Sequence, residues 1–435
     1  MSAMARHQWA RWLLPVVAAV ATLLGLRDAV VAHAAFRERE RRVFADCMGA
    51  ILDRDEGNYM RVAERLRRGE TPTDDVGGVS YRSVLFSLAA LPALERFGCT
   101  GDALDALRVG VLATRLAIPL AAFLFLWRFG GEGRRAKAWL AMALLAWNSQ
   151  LTLSSFFLPD VPSALLIITC LAALVGARRA GTALLAGGWA GLAVLVKADF
   201  LYALLVVMGV RLVAAVRSRT GVRAAVAALA GYALVLGAWA ARNHAYTGRF
   251  FITSKDSVVL WIGNDAEARA HGFRYHPVYI PPEVSQAHAG EPIEVWGRRY
   301  FYERLWERIR AHPLEVAAGV ASKFWLYLTN SGENNFGAFG RWGVWLGWGV
   351  NGLALLGTLL WLTRRWPAPP SPARDAVTVA WAASMAILAA TIFEARYMVH
   401  ALTLATLLSS WLAVDAARRW GGPPLNASSP TETAA

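Results

Sequence analysis

Charge and cysteine are both scarce in this sequence. Charged residues make up 17% of its 435 residues, whereas 56% are hydrophobic and the mean hydropathy is +0.37. These values exclude an ordinary soluble domain and indicate a polytopic membrane protein. Three cysteines give no disulfide framework, although a bond between Cys47 and Cys99 stays open. The sequence also has no zinc-type ligand cluster, no glycine-rich phosphate-binding motif and no internal repeat.

Ten apolar runs dominate the chain, and a bilayer core needs about 20 such residues for one helical crossing. The runs lie near 12–34, 104–127, 138–157, 161–177, 182–197, 199–216, 222–241, 342–362, 376–393 and 397–414. Alternate connectors between them are rich in arginine, so the positive-inside rule assigns those connectors and both termini to the cytoplasm. The formal net charge of +14 therefore reflects membrane orientation and not nucleic-acid binding. The N-terminal run has no convincing cleavage site, which predicts a retained helix.

The predicted fold is an all-α polytopic membrane protein with about ten transmembrane helices and additional external interfacial helices. Two interrupted apolar segments, 82–97 and 314–329, are predicted to stay at the outer face, because a full crossing by 314–329 would move an arginine-rich connector outside. The predicted regions are a first transmembrane helix in 1–34, a first external loop in 35–103, a transmembrane core in 104–241, an external region in 242–341, C-terminal transmembrane helices in 342–415 and a disordered cytoplasmic tail in 416–435.

Polar residues from separate parts of the chain are predicted to meet at the outer face. In the segment RDEGNYMRVAERLRRGE, apolar residues recur at helical spacing and charged residues cover the other side, which predicts a helix lying among lipid headgroups. Asp55 and Glu56 begin this helix, where the helix dipole favours negative charge, and Tyr59 follows one turn later. The two carboxylates are interpreted either as an N-terminal cap or as part of a reaction site.

Further polar positions belong to the same predicted face. Asp160, in LPDVPS, begins an apolar run and is either a cap or a site residue. Lys197 follows a long apolar run, and a charge at that depth needs either the headgroup layer or an anionic partner such as a lipid phosphate. The turn FEARYM carries Glu394, Arg396 and Tyr397, and its arginine suits phosphate binding.

A second external segment, SKDSVVLWIGND, has aromatic and turn character. Aromatic faces and amide groups commonly hold sugars, so Trp261 and Asn264 are candidate substrate contacts. An ordinary packed loop would have the same sequence, and both interpretations stay open.

Taken in order, these segments resemble those of the GT-C superfamily of polytopic glycosyltransferases, in particular the branch of protein O-mannosyltransferases and of the aminoarabinose transferase that acts on lipid A. The matching stretches are RDEGNYMRVAERLRRGE, LPDVPSALL, AGLAVLVKA, RNHAYTGRFFITSKDSVVLWIGND, AHPLEVAAGVASKFW and FEARYM, which extend from about residue 50 to 415. The chain departs from the family pattern at Arg82, which stands where proline is expected.

The resemblance implies that a monosaccharide moves from a polyprenyl-phosphate-linked donor to a glycan, lipid or protein acceptor on the outer face of the plasma membrane. Asp55 is the candidate base, because the attacking group must lose a proton. The full set of candidates is Asp55, Glu56 and Asp160 for catalysis, Lys197 and Arg396 for the donor phosphate, and Tyr59, Arg82, Trp261, Asn264, Glu394 and Tyr397 for other substrate contacts. A single displacement would invert the anomeric configuration.

The sequence leaves the sugar, the acceptor and other activities open. No metal cofactor is expected, because lysine and arginine can neutralise the leaving phosphate, although paired carboxylates also suit a divalent cation. Undecaprenyl phosphate is the expected carrier, since an alanine- and arginine-rich composition suggests a GC-rich bacterium. The alternatives are a lipid or small-molecule transporter or flippase, and a non-catalytic scaffold of the same fold. A transporter would need broken or charged helices near the midplane in paired halves.

Overall fold

The structure, a computed structural model, describes residues 3–40, 55–73, 83–148, 156–253, 255–274, 280–289, 291, 293–329, 341–393 and 397–420. These residues form seventeen α-helices and no strand. In chain order the helices are α1 Ala3–Glu40, α2 Asp55–Arg67, α3 Val84–Leu88, α4 Leu91–Phe97, α5 Gly101–Phe129, α6 Arg134–Ala146, α7 Asp160–Gly176, α8 Ala180–Val196, α9 Phe200–Ser218, α10 Val222–Thr247, α11 Lys255–Ile262, α12 Pro282–Ala287, α13 Ile293–Ala311, α14 Pro313–Thr329, α15 Arg341–Leu362, α16 Pro372–Ala390 and α17 Met398–Trp420.

Seven of the described helices are long and apolar enough to cross a membrane, and they are α1, α5, α9, α10, α15, α16 and α17. Helices α7 and α8 are apolar but shorter, with 17 residues each. Each of the ten apolar runs overlaps one of these nine helices or α6, although the run 138–157 continues beyond the end of α6 at Ala146. The prediction of an all-α integral membrane protein that crosses several times is therefore confirmed. Neither the α3–α4 segment nor α14 is among the candidate spans within the described ranges.

Helix α17 is the centre of the bundle. Almost every residue in its first four turns is buried, polar ones included. A helix that is surrounded by protein on all sides is typical of a bundle core and not of a lipid-facing surface. The polar side chains satisfy themselves locally, as where the hydroxyls of Thr403 and Thr406 donate to carbonyl oxygens four residues earlier. The position of α17 matters because the candidate site lies at its N-terminal end.

Helices α8 and α10 pack with their backbones in close contact. A Cβ atom added at Gly187 would overlap the carbonyl oxygen of Ala228, and one added at Gly231 would overlap that of Leu184. Small residues allow this approach between membrane helices, where dispersion contacts replace the hydrophobic effect as the driving force. The packing fixes the C-terminal end of α8, and Lys197 follows that end directly.

Several arginine-rich connectors meet at one end of the bundle. At the start of α6, the Lys137 ammonium lies 2.5 Å from a carboxylate oxygen of Asp415, which is near the end of α17. The Trp366 indole donates to the other oxygen of Asp415 at 3.0 Å, and Arg418 pairs with Glu132 at 2.8 Å. The beginning of α17 lies about 25 Å from Asp415 along the helix, at the opposite end. Which end faces the cytoplasm stays a prediction of the positive-inside rule.

The cysteines and the C-terminal tail complete the comparison with the sequence. Cys99 is disulfide-bonded, and Cys170 is a buried free thiol. Cys47, whose bond to Cys99 the sequence left open, lies outside the described residues. Residues 416–420 of the tail predicted over 416–435 belong to α17, and the remainder lies outside the described residues.

Candidate active site

A cavity of about 280 Å³ lies at the end of the bundle where α2, α7, α9 and α11 begin and where α8 and α16 end. Its lining combines apolar and aromatic side chains with charged ones. The charged lining residues are Asp55, Asp160, Lys197, Asp199, Lys255 and Asp256. All four carboxylates stand at helix starts, where the helix dipole favours negative charge. The cavity thus gathers charge from four distant parts of the chain.

Asp55 and Tyr59 line the cavity from the first turns of α2. The two residues are four positions apart and therefore share one face of the helix. The Tyr59 ring packs edge-on against the rings of Phe86 and Phe157, with centroid distances of 5.0 and 6.4 Å. Because these aromatic contacts anchor α2, the Asp55 carboxylate is presented by a packed helix and not by a loose loop.

Glu56, the neighbour of Asp55, is directed into the protein instead of the cavity. It is 1% exposed and accepts two hydrogen bonds from the Arg108 guanidinium of α5, at 2.8 and 3.0 Å. A third bond comes from the backbone N–H of Phe157, at 2.5 Å. A buried carboxylate of this kind joins α2 to α5 and to the segment before α7. The sequence predicted a joint role for the Asp-Glu pair, whereas the two side chains face different surroundings.

The last turn of α2 also differs from the amphipathic prediction, which put Glu64 on the exposed polar face. The Glu64 side chain is 1% exposed and accepts hydrogen bonds from Arg67 at 2.7 and 2.8 Å and from Arg68 at 2.8 Å. The bonds from Arg67, reinforced by Arg68, hold the pKa of Glu64 below its ordinary value. The exposed residues of this turn include Arg67 and Arg68.

Lys197 is buried in an ion-paired cluster. Its Nζ atom lies 2.5 Å from an Asp160 carboxylate oxygen and 3.6 Å from one of Asp199. The ammonium also lies 5.1 Å from the centre of the Tyr397 ring, a cation–π distance. The sequence indicated that Lys197 needs a partner at this depth and suggested lipid. In the structure, the partners are the residues that begin α7 and precede α9, so Asp160 and Lys197 act as one unit.

Lys255 and Asp256 are site residues that the sequence interpretation missed. The Lys255 ammonium donates to the Tyr397 hydroxyl at 3.2 Å and lies 5.6 Å from the centre of that ring. Asp256 accepts hydrogen bonds from the Tyr302 hydroxyl at 2.9 Å and from Arg298 at 3.3 Å. Burial and the Asp256 carboxylate raise the pKa of Tyr302, which keeps its hydroxyl a donor. The sequence feature that could have indicated these two residues is the charged pair that they form near the start of SKDSVVLWIGND.

The other predicted substrate contacts have different positions. Trp261 and Asn264 are not part of the cavity lining. The Asn264 amide donates to the backbone carbonyls of Leu260 and Ala390 at 2.8 and 2.7 Å, so it holds the fold locally. The predicted site residues that lie outside the described residues are Arg82, Glu394 and Arg396.

Known structures share the overall fold of this chain. No protein-family profile matches the chain, and no curated protein matches it. The archaeal oligosaccharyltransferase AglB from Archaeoglobus fulgidus, in complex with an inhibitory peptide and a dolichol-phosphate, is similar with a TM-score of 0.50 and 14% identity, over 90% of this chain and 50% of that chain. The oligosaccharyltransferase of the same organism in complex with Zn and sulfate gives a TM-score of 0.52 and 16% identity, over 90% and 49% of the two chains. This protein has the GT-C fold.

Partial coverage and low sequence identity limit what these structures indicate about this protein. The chain spans about half the length of the archaeal oligosaccharyltransferase. ArnT from Cupriavidus metallidurans bound to undecaprenyl phosphate is similar over 89% of this chain and 77% of that chain, with 16% identity and a TM-score of 0.38. At such identities the GT-C likeness concerns the fold, and function has to be argued from the cavity.

Proposed function

We propose that the protein is a membrane glycosyltransferase that moves a monosaccharide from a polyprenyl-phosphate-linked donor to a glycan, lipid or protein acceptor at the outer face of the membrane. The cavity is the observation that supports this best. In it, the Asp55 carboxylate shares an apolar-walled space with the ammonium groups of Lys197 and Lys255. Sugar transfer from a lipid-linked phosphate needs both functions, a base for the acceptor and a cation for the leaving phosphate.

Asp55 acts as the base in this proposal. The acceptor oxygen or nitrogen attacks the anomeric carbon, its proton passes to Asp55, and the bond between that carbon and the phosphate oxygen breaks. One displacement of this kind inverts the anomeric configuration. The position of Asp55 at the start of α2 suits the role, because the carboxylate stands at the cavity wall and the packed helix limits its movement.

The leaving polyprenyl phosphate gains negative charge as the sugar departs, and positive groups stabilise that charge. Lys255 and Lys197 both lie near the Tyr397 ring at the cavity. Lys197 is held between Asp160 and a second carboxylate, so we assign it to holding this side of the cavity in place. We assign the direct phosphate contact to Lys255. We expect no metal requirement, since these ammonium groups can neutralise the phosphate.

The largely apolar lining of the cavity suits the part of the donor lipid that lies next to the phosphate. The AglB structure contains a dolichol-phosphate, which supports a lipid-linked phosphate as a ligand of this fold. We expect undecaprenyl phosphate to be the carrier here. The identity of the sugar and of the acceptor is left to experiment.

The test is sugar transfer and sugar release by the purified protein in nanodiscs, with a panel of radiolabelled polyprenyl-phosphate sugars in the presence of EDTA. Removal of a general base slows turnover by about 10² to 10⁴-fold, so Asp55→Asn should lose that much while donor affinity stays within about threefold. Lys255→Met should weaken donor binding. Glu303→Gln, a matched change of an exposed carboxylate on α13, should leave both unchanged. Turnover by Asp55→Asn within about threefold of wild type would contradict the assignment of the base.

The other interpretations predict different results when the same labelled donors are also assayed with the protein in sealed proteoliposomes. A transporter or flippase would move a labelled lipid across the bilayer without release of its sugar. A scaffold would give neither movement nor release. The gathering of charge at one end of the bundle favours the transferase, because transport needs polar positions near the midplane.

A further inference from the structure

Lys323 is a fully buried lysine that the proposed reaction does not use. It lies in α14, is 0% exposed, and donates hydrogen bonds to the Gly263 carbonyl oxygen at 2.7 Å and to the Asn264 side-chain oxygen at 3.0 Å. The third group that faces its ammonium is the Phe273 ring, 5.7 Å away. Unlike Lys137, it forms no ion pair with a carboxylate in the described part of the chain. Charged groups are seldom buried without such a partner, so its place needs an explanation.

The two acceptors of Lys323 form the junction between α11 and α16. The Asn264 amide bonds the last carbonyl of α16, that of Ala390, as well as the Leu260 carbonyl of α11. A Cβ atom at Gly263 would overlap the Thr391 carbonyl oxygen, so only glycine allows the backbones to come this close. Lys323 brings a third helix, α14, to this junction. Its N–H groups satisfy two buried oxygen atoms that would otherwise have one donor fewer.

We propose that Lys323 is a positioning residue that holds the C-terminal end of α11 and thereby fixes Lys255 and Asp256, at the N-terminal end of the same helix, against the cavity. The inference rests on the proposed function for its consequence, since Lys255 is the assigned phosphate contact. Helix α11 has eight residues and is about 12 Å long, so it moves as one rigid piece. The role also accounts for two sequence segments, SKDSVVLWIGND and AHPLEVAAGVASKFW, whose WIGND and SKFW parts meet at this junction.

The protonation of Lys323 gives the inference a distinctive signature. Burial lowers the pKa of Lys323 to about 7. The neutral amine still has two N–H groups for its two acceptors. If α11 detaches, the Lys323 amine reaches water and regains its ordinary, higher pKa. Above pH 7 the detached state therefore binds a proton that the packed state does not bind. Because protons become scarcer as the pH rises, detachment of α11 becomes harder above pH 7. The groups that face it are a carbonyl, an amide and a phenyl ring, which do not titrate in this range.

The experiment is hydrogen exchange of the α11 amides in the full-length protein in nanodiscs, with wild type and each variant compared at the same pH. Lys323→Met leaves both acceptor oxygens without this donor, so at pH 8.5 α11 should exchange at least about tenfold faster than in wild type. At pH 6 that ratio should be smaller by about tenfold or more. Lys323→Gln, a neutral donor, should restore part of the protection. Lys137→Met, which removes a buried lysine at the other end of the bundle, should leave α11 unchanged.

Each result has a defined meaning. Equal α11 exchange in Lys323→Met and wild type at pH 8.5 would overturn the inference. A faster exchange with a ratio that does not depend on pH would do so as well, because a packing role alone gives that result. The consequence for the site is tested by binding of undecaprenyl phosphate, which Lys323→Met should weaken at least threefold at pH 8.5. If wild type does not bind this lipid, the proposed function fails, and the exchange result still decides the role of Lys323.

Discussion

The buried pair of Glu56 and Arg108 tests whether Glu56 holds the fold together while its neighbour Asp55 serves the cavity. Both side chains are almost fully buried, and Glu56 accepts three hydrogen bonds. Removal of one partner from a buried ion pair lowers the free energy of unfolding by about 3–5 kcal/mol, because the other charge remains in a low-dielectric interior. Gln retains one oxygen that accepts a hydrogen bond. We therefore expect Glu56→Gln to lower stability by about 3 kcal/mol.

The assay is thermal unfolding in nanodiscs, followed by the fluorescence of the 19 tryptophans. Glu56→Gln should unfold several degrees below wild type. Asp55→Asn should not, since its carboxylate belongs to the cavity. The double variant Glu56→Leu with Arg108→Met should recover much of the loss, because it leaves no unpaired charge. Together with the single variants Glu56→Leu and Arg108→Met it forms a double-mutant cycle that isolates the pair. A Glu56→Gln protein with wild-type unfolding and abolished sugar transfer would refute the reasoning and assign Glu56 to the chemistry.

Three further predictions concern other parts of the structure. Gly187→Ala should lower the unfolding temperature, because the added methyl group overlaps the α10 backbone, whereas Gly209→Ala on the open face of α9 should not lower it. Asp415→Asn should lower the free energy of unfolding by about 3 kcal/mol, since it leaves the buried Lys137 ammonium without its counter-ion, and donor affinity at the far end should stay unchanged. Glu64→Gln should lower stability at pH 7 by about 1 kcal/mol, because the arginine bonds that lower the pKa of Glu64 stabilise the fold above its ordinary pKa. The difference from wild type should shrink as the pH falls through the lowered pKa, where those bonds are lost.

The sequence by itself determined the fold class and the general position of the site. Hydropathy is a local property that twenty consecutive residues already contain, so ten apolar runs predicted helices at the places where helices lie. Helix starts are also local, which is why Asp55 and Asp160 were correctly expected to begin α2 and α7. Arginine asymmetry along the connectors separated the two ends of the bundle.

Only the tertiary structure decided which side chains share a space. Asp55 and Glu56 are neighbours in sequence, yet the packing of α2 against α5 directs one into the cavity and the other to Arg108. Lys197 finds Asp160 across 37 residues, and Lys323 reaches Asn264 across 59. Such pairings depend on how helices approach one another, and helical periodicity gives the face of a residue but not the partner opposite it. For that reason the sequence did not reveal the partners of Lys255, Asp256 and the buried Lys323, although these residues surround or support the candidate site.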